Sequence, residues 1–129
     1  MSLKLALRIL ALFFWWYGVV FVLSVAQLGG LSLPALPFLE YRGDAYAWDF
    51  ELMFTAIFMV WGSYLWIASK EPLRHRLFVD FTIVATVAHI AAMLVIGFIR
   101  TTDLTHLLID AVMLSIPTAL VIYARLKQG

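Results

Sequence analysis

The stretch LTHLLIDAVMLSIPTALVIYA, residues 104–124, is almost entirely apolar, yet it carries a histidine and an aspartate four residues apart. At about 1.5 Å per residue, an α-helix of this length crosses the roughly 30 Å hydrocarbon core of a bilayer. His106 and Asp110 then share one face of that helix, because residues four apart are neighbours on a helix surface. A carboxylate is energetically expensive inside a membrane. The stretch therefore predicts a spanning helix with an unusual polar group in it.

Three further apolar runs of similar length precede this one. We predict four spanning helices, at about residues 9–28, 51–68, 78–98 and 104–124. The breaks between them, GGLSLPALP, KEPLRHR and RTTD, contain the residues that interrupt helices and form turns. The sequence thus predicts an all-α fold, a four-transmembrane-helix bundle that forms a single membrane domain over residues 1–129.

Composition supports a membrane environment. The 129-residue chain is 64% hydrophobic and only 13% charged, with a mean hydropathy of +0.98. This leaves too little polar surface to cover a soluble globule, so the lipid bilayer is the expected partner. A formal charge of +1 without a block of like charges argues against nucleic acid as a partner. The absence of cysteine excludes disulfides, thiolate metal sites and a cysteine nucleophile.

Basic residues concentrate on one side of the predicted bundle. Seven of the nine are Lys4, Arg8, Lys70, Arg74, Arg76, Arg125 and Lys127. By the positive-inside rule, we predict that both termini are cytoplasmic and that residues 29–50 and 99–103 lie outside.

Polar residues deep in the third and fourth predicted helices come within reach of each other. The connection at residues 99–103 is short, so these helices are expected to be antiparallel neighbours. His89 and Asp110 then differ in depth by only about 5 Å. An unpaired imidazole or carboxyl group in hydrocarbon costs several kcal/mol. We therefore expect His89 to contact Asp110, or the Met113 carbonyl that Pro117 leaves without a backbone donor.

Thr82 and Met93 share a helical stripe with His89, because spacings of seven and four residues return to nearly the same face. We expect this stripe to face the fourth helix. The residues of the predicted polar niche are His89, Asp110, His106, Glu51 and Thr82.

The polar niche has several possible roles. It is either a purely structural hydrogen-bonded pairing that fixes helix packing, or a site for a small ligand, a quinone headgroup or a proton. A third hypothesis is a metal site, because carboxylates and imidazoles hold Zn, Mn or Fe in helical bundles. Its ligands would be Glu51, His89, His106 and Asp110, although no ExxH or HExxH spacing marks them as such. The sequence does not identify a metal or any other cofactor.

Asp80 belongs to a different face of the third predicted helix. It lies nine residues from His89, about half a rotation away. Arg76 precedes it by one turn, so we predict an interfacial ion pair between Arg76 and Asp80.

The stretch WGSYLWIASKEPLRHRLFVDFTIVATVAHIAAM, residues 61–93, contains a G-x-x-L-x-x-A-S-x-x-P turn, an arginine at the start of the next helix, a Phe-Thr pair and a His followed by Met. Its residues are Gly62, Leu65, Ala68, Ser69, Pro72, Arg76, Phe81, Thr82, His89 and Met93. This pattern resembles a family of short, uncharacterised bacterial four-helix membrane proteins, a domain of unknown function. The resemblance covers about a quarter of the chain. It implies four helices and a multi-pass location in a bacterial inner membrane, and it confers no activity.

Two classes of function follow. We favour a non-enzymatic protein, either an accessory subunit of a larger membrane complex or homo-oligomer, or a small-ligand binder. No nucleophile and base pair, phosphate loop or redox centre is evident, and four short helices enclose little room for a substrate. The alternative is a metal-dependent membrane enzyme or metal-binding protein that uses Glu51, His89, His106 and Asp110.

Overall fold

A computed structural model describes residues 1–28, 48–99 and 104–128 of the chain. The described residues form four α-helices: α1 (Leu3–Leu28), α2 (Trp48–Ala68), α3 (Arg76–Ile99) and α4 (Leu104–Leu126). No strand occurs in the described ranges. The predicted all-α fold with four helices is confirmed.

The helix α1 begins well before the apolar run that predicts it. The Ser2 hydroxyl accepts a hydrogen bond from the Leu5 amide at 3.3 Å, and the Ser2 carbonyl accepts one from the Ala6 amide at 3.1 Å. Ser2 therefore caps the helix. The first turns bury one stripe, which is Leu3, Ala6, Leu7 and Leu10. These spacings are those of a helix face that packs against protein, while Lys4 and Arg8 on the other face are exposed.

The chain divides into two compact units. The first contains Met1–Leu10 and Leu65–Gly129, and the second contains Ala11–Tyr64. Helices α1 and α2 therefore contribute residues to both units. The prediction of a single membrane domain over residues 1–129 stays a prediction.

In the first unit, α3 packs against α4. Small or hydroxyl-bearing side chains are frequent among the buried residues of both helices. On α3 the buried residues are Val79, Thr82, Thr86 and Gly97. On α4 the buried residues include Ala111, Leu114, Thr118, Val121 and Ala124. Small side chains allow two helix backbones to approach closely.

Several of these hydroxyls bond to their own helix. The Thr86 hydroxyl donates to the Thr82 carbonyl at 2.8 Å, and the Thr118 hydroxyl donates to the Leu114 carbonyl at 2.8 Å. In the same way, the Ser115 hydroxyl donates to the Ala111 carbonyl at 2.6 Å. Each hydroxyl is satisfied within its helix, which makes it tolerable in an apolar setting.

In the second unit, an aromatic cluster joins α1 and α2. Phe14 is 1% exposed, and its ring centroid lies 4.9 Å from that of Phe58 and 5.5 Å from that of Trp61. Tyr17 contacts Phe58 edge to face, with centroids 5.4 Å apart. These separations are those of favourable aromatic pairs. Phe14 of α1 therefore packs against protein, whereas Trp16 is 52% exposed.

Two of the described helical segments, Leu3–Val20 and Arg76–Ile99, are long and apolar enough to cross a membrane. Leu52–Ala68 of α2 is a shorter apolar helix. This assignment rests on length and composition. On α3, large apolar side chains face outward, with Leu77 85%, Phe98 75% and Ile99 76% exposed.

Candidate functional site

His89 and Asp110 lie near each other on the packed helices α3 and α4. The Asp110 carboxylate is within electrostatic range of the His89 imidazole. Both side chains are half-buried. The structure thus places the two titratable residues that the sequence pairs within electrostatic range of each other, on α3 and α4. An imidazole can donate a hydrogen bond, and a carboxylate can accept one.

Thr82 lies on the same face of α3 as His89. It is fully buried and lies on the stripe of α3 that continues through Thr86, His89 and Met93. Seven residues separate Thr82 from His89, which corresponds to about 10 Å along the helix axis. Thr82 therefore shares the buried face of His89 but lies two turns away from it.

Pro117 lies inside α4 and cannot donate to the Met113 carbonyl, because proline has no amide hydrogen. The two neighbouring hydroxyls bond elsewhere, Ser115 to the Ala111 carbonyl and Thr118 to the Leu114 carbonyl. Neither hydroxyl therefore replaces the missing Pro117 donor. This carbonyl remains the second acceptor predicted near His89.

The other two members of the predicted niche, Glu51 and His106, lie on α2 and α4, and their side chains are outside the described part of the structure. The four-residue metal hypothesis therefore has only His89 and Asp110 in described positions. Among the described residues, no three His, Cys, Asp or Glu side chains are grouped so as to hold a metal ion.

Asp80 has a closer partner than the predicted Arg76. The Arg125 Nε atom donates to Asp80 Oδ1 at 2.8 Å, and the second contact joins an Arg125 amino group to Asp80 Oδ2 at 3.1 Å. Arg76 Nε lies 3.9 Å from Oδ2. The side chain of Arg125 is 15% exposed and that of Asp80 is 47% exposed. The two-pronged contact joins the start of α3 to the end of α4.

Sequence reasoning missed Arg125, although a signal for it existed. If Met113 lies opposite His89 in an antiparallel pair, Asp80 lies opposite Ile122. Arg125 is one turn further along α4, within reach of a long side chain. Counting residues along the antiparallel pair of helices therefore predicts that Asp80 lies near Arg125, as it predicts that His89 lies near Asp110.

A second arginine is held where α1 begins and α2 ends. Arg8 Nε donates to the Ser69 hydroxyl at 3.2 Å, and that hydroxyl donates to the Trp66 carbonyl at 2.7 Å. The Arg8 guanidinium carbon lies 5.2 Å from the Trp66 ring centroid, over its face. Ser69 is fully buried. All three residues belong to the first compact unit.

Several residues of the pattern in residues 61–93 occupy packing positions. The buried members are Gly62, Leu65, Ala68, Ser69, Pro72 and Thr82. Phe81, by contrast, is 57% exposed. Much of the pattern therefore has a structural explanation in helix packing and in the turn after α2.

No protein-family model matches the chain, and neither a curated protein nor a solved structure matches it. The resemblance to short bacterial four-helix membrane proteins accordingly stays a prediction.

Proposed function

We propose that this chain is a small multi-pass protein of a bacterial inner membrane, without enzymatic activity. In this proposal it acts as an accessory subunit of a larger membrane complex or as a small-ligand binder, through the polar niche between α3 and α4. The observation that carries the proposal is the approach of the Asp110 carboxylate to the His89 imidazole on two packed, apolar helices.

The membrane location draws support from the outward faces of the helices. Leu77, Phe98 and Ile99 on α3 each expose three quarters or more of their surface, and exposed apolar area of this kind requires lipid or a partner to cover it. The proposal extends the same environment to all four helices. Seven of the nine basic residues lie near the helix ends of one predicted side, which supports a cytoplasmic location of both termini in this proposal.

The binding role draws support from the half-burial of His89 and Asp110. A half-buried pair remains reachable by a small molecule, a quinone headgroup or a proton. Polar and ionisable residues in a membrane commonly mark ligand or ion pathways. A non-enzymatic role agrees with the absence of cysteine and of a phosphate-loop motif from the sequence.

The decisive experiment is mass spectrometry of the intact protein extracted in mild detergent, with metal analysis of the same sample. We expect a small molecule or a protein subunit to co-purify, and its retention to fall in His89→Ala. His75→Ala is the matched control, because His75 lies between α2 and α3, outside the niche. Equal retention in both variants would exclude the niche as the binding site. Stoichiometric metal would favour the alternative of a metal-dependent protein.

Asp110 provides a second test. We expect Asp110→Asn to preserve folding, because an amide oxygen can still accept a hydrogen bond from the imidazole. Asp110→Leu removes that acceptor and should destabilise the protein by about 1–3 kcal/mol. The free energy of unfolding in mixed micelles measures both changes.

A metal site would respond differently. Asp110→Asn would then abolish metal binding, and the stability of the unsubstituted protein would fall when a chelator is added. A destabilisation by Asn equal to that by Leu, without any metal, would contradict the hydrogen-bonded pairing itself.

A further inference from the structure

The Arg8 guanidinium is fixed in place while most of its donors stay available. Its Nε atom is engaged by the Ser69 hydroxyl at 3.2 Å, and its plane is held near the Trp66 ring. Ser69 cannot easily move, because it is fully buried and bonded to the Trp66 carbonyl. An arginine usually loses side-chain freedom when it binds a ligand. Here part of that ordering is already in place.

The two terminal amino groups of Arg8 are available to bind a ligand. Arg8 is exposed, and no acidic side chain in the described part of its unit is paired with it. Two acidic residues of the same unit are paired with other arginines. Glu71 lies 3.6 Å from Arg74, and Asp80 is held by Arg125. A guanidinium with two parallel free donors matches an oxyanion such as phosphate, which it binds through two hydrogen bonds.

Two lysines add positive charge next to this fork. Lys4 precedes Arg8 by one turn of α1 and therefore lies on the same face. Lys70 directly follows Ser69 in the chain. Both lysines are exposed. Clusters of basic residues at the cytoplasmic ends of membrane helices attract anionic lipid headgroups.

We propose that Arg8, oriented by Ser69 and Trp66 and assisted by Lys4 and Lys70, binds a phosphate group, supplied by an anionic phospholipid of the cytoplasmic leaflet. The choice of leaflet rests on the proposed membrane function, because it requires the start of α1 to lie at the cytoplasmic surface. The phosphate chemistry itself rests only on the geometry of Arg8. Inorganic phosphate is the competing source of the same group.

Native mass spectrometry of the purified full chain in micelles tests the site. Phosphatidylglycerol, phosphatidylcholine and inorganic phosphate are titrated separately. We expect one tightly held phosphatidylglycerol, and a roughly tenfold loss of its affinity in Arg8→Gln, which is the scale of one charge-assisted contact. Inorganic phosphate should bind far more weakly than the lipid. Phosphate that binds as tightly as phosphatidylglycerol would overturn the lipid assignment.

Two further variants distinguish a specific phosphate-binding site at Arg8 from general attraction of anionic lipid to positive charge. Arg74→Gln removes an exposed charge from the segment between α2 and α3. Because such a charge attracts lipid headgroups only through screened, long-range electrostatics, lipid affinity should stay within about twofold of that of the unsubstituted protein. Arg8→Lys keeps the charge but loses the planar fork, so it should weaken binding nearly as much as Arg8→Gln. Equal losses in Arg8→Gln and Arg74→Gln, or full retention in Arg8→Lys, would overturn the proposal.

These outcomes are independent of the proposed function. Binding in micelles does not require a particular membrane orientation or an occupied polar niche. If His89→Ala retains the co-purified ligand while Arg8→Gln weakens lipid binding, only the niche is overturned. If His89→Ala loses the ligand while Arg8→Gln leaves lipid affinity unchanged, only the phosphate site is overturned.

Discussion

Asp80 illustrates how a carboxylate near the start of α3 is shared between two cations. Arg125 makes two hydrogen bonds to its carboxylate, at 2.8 and 3.1 Å, while Arg76 on the same helix lies at 3.9 Å. A two-pronged arginine contact is stronger and more directional than a single long ion pair. Because the Asp80 side chain is 47% exposed, solvent weakens both interactions.

We expect Asp80→Asn and Arg125→Gln each to lower the free energy of unfolding by about 1 kcal/mol. This value is near the upper end for exposed ion pairs, because the Arg125 side chain is mostly buried. Arg76→Gln removes only the long contact and should change stability by less than about 0.5 kcal/mol. A double-mutant cycle in mixed micelles gives the coupling of each pair. A larger coupling for Asp80 with Arg76 than with Arg125 would contradict the geometry.

Part of the candidate site was accessible from the sequence. His89 and Asp110 are paired by the short connection at residues 99–103 and by the cost of isolated polar groups in hydrocarbon. Arg125 was not found, because ion-pair rules within one helix favour Arg76, four residues before Asp80. The fixed position of Arg8 was also missed, because its partner Ser69 is 61 residues away in the chain. Contacts between distant segments depend on packing that local spacing does not contain.

Helices α1 and α2 approach each other closely at two glycines in the second compact unit. A β-carbon built on Gly62 would lie 3.0 Å from the Ala11 carbonyl oxygen and 3.1 Å from atoms of the Trp15 ring. One of these neighbours is backbone, and the other donates a hydrogen bond to the Ser63 hydroxyl at 3.3 Å. Neither can yield easily. At Gly18, the crowding atoms are the Sδ and Cγ of Met59, which belong to a flexible side chain.

This contrast predicts different effects of the same substitution. Gly62→Ala should destabilise the protein by about 1–3 kcal/mol, as overpacking of a tight interface does. Gly18→Ala should stay within about 0.5 kcal/mol of the unsubstituted protein, because Met59 can change rotamer and alanine favours the helix. Thermal unfolding in mild detergent compares the two variants directly. A neutral Gly62→Ala, or a Gly18→Ala that is the more harmful, would exclude this account of helix contact.

Helix positions were more predictable than helix ends. The predicted runs at about 9–28 and 78–98 correspond to α1 (Leu3–Leu28) and α3 (Arg76–Ile99). Hydropathy detects the part of a helix that is apolar on all sides, so charged residues such as Lys4 truncate the prediction. The backbone continues through them, because a helix that buries one stripe tolerates charge on its other face. The Ser2 cap was a local signal that an analysis based on apolar runs overlooks.

The distribution of basic residues determines the expected orientation of the whole molecule. A fluorescent reporter that matures only in the cytoplasm, fused after Gly129, should be active, because positively charged segments remain on the cytoplasmic side. The same reporter inserted after Gly43 should be inactive, since residues 29–50 are predicted to lie outside. Activity of a phosphatase that works only in the periplasm, fused after Gly129, would show that the predicted orientation is wrong.

The apolar runs of the chain were sufficient to predict the four described helices, but they contain no signal for the two compact units. The boundaries between the two units fall inside α1 and α2, at positions without a turn signal in the sequence. One unit contains Met1–Leu10 and Leu65–Gly129, and the other contains Ala11–Tyr64. Hydropathy is uniform across Leu10 and Ala11, so it contains no signal for such a division. The division follows instead from which side chains meet between helices, such as Phe14 with Phe58.

The contact between Asp80 and Arg125 also has a consequence for biosynthesis. The two residues are 45 positions apart, and at about 5–20 residues per second a ribosome needs roughly 2–9 seconds to add the intervening chain. Throughout that interval, Arg76 is the only basic residue within one turn of Asp80. The weaker counter-ion is thus the one available until α4 is synthesised. Helix α4 then brings Arg125, the cation that completes the pairing.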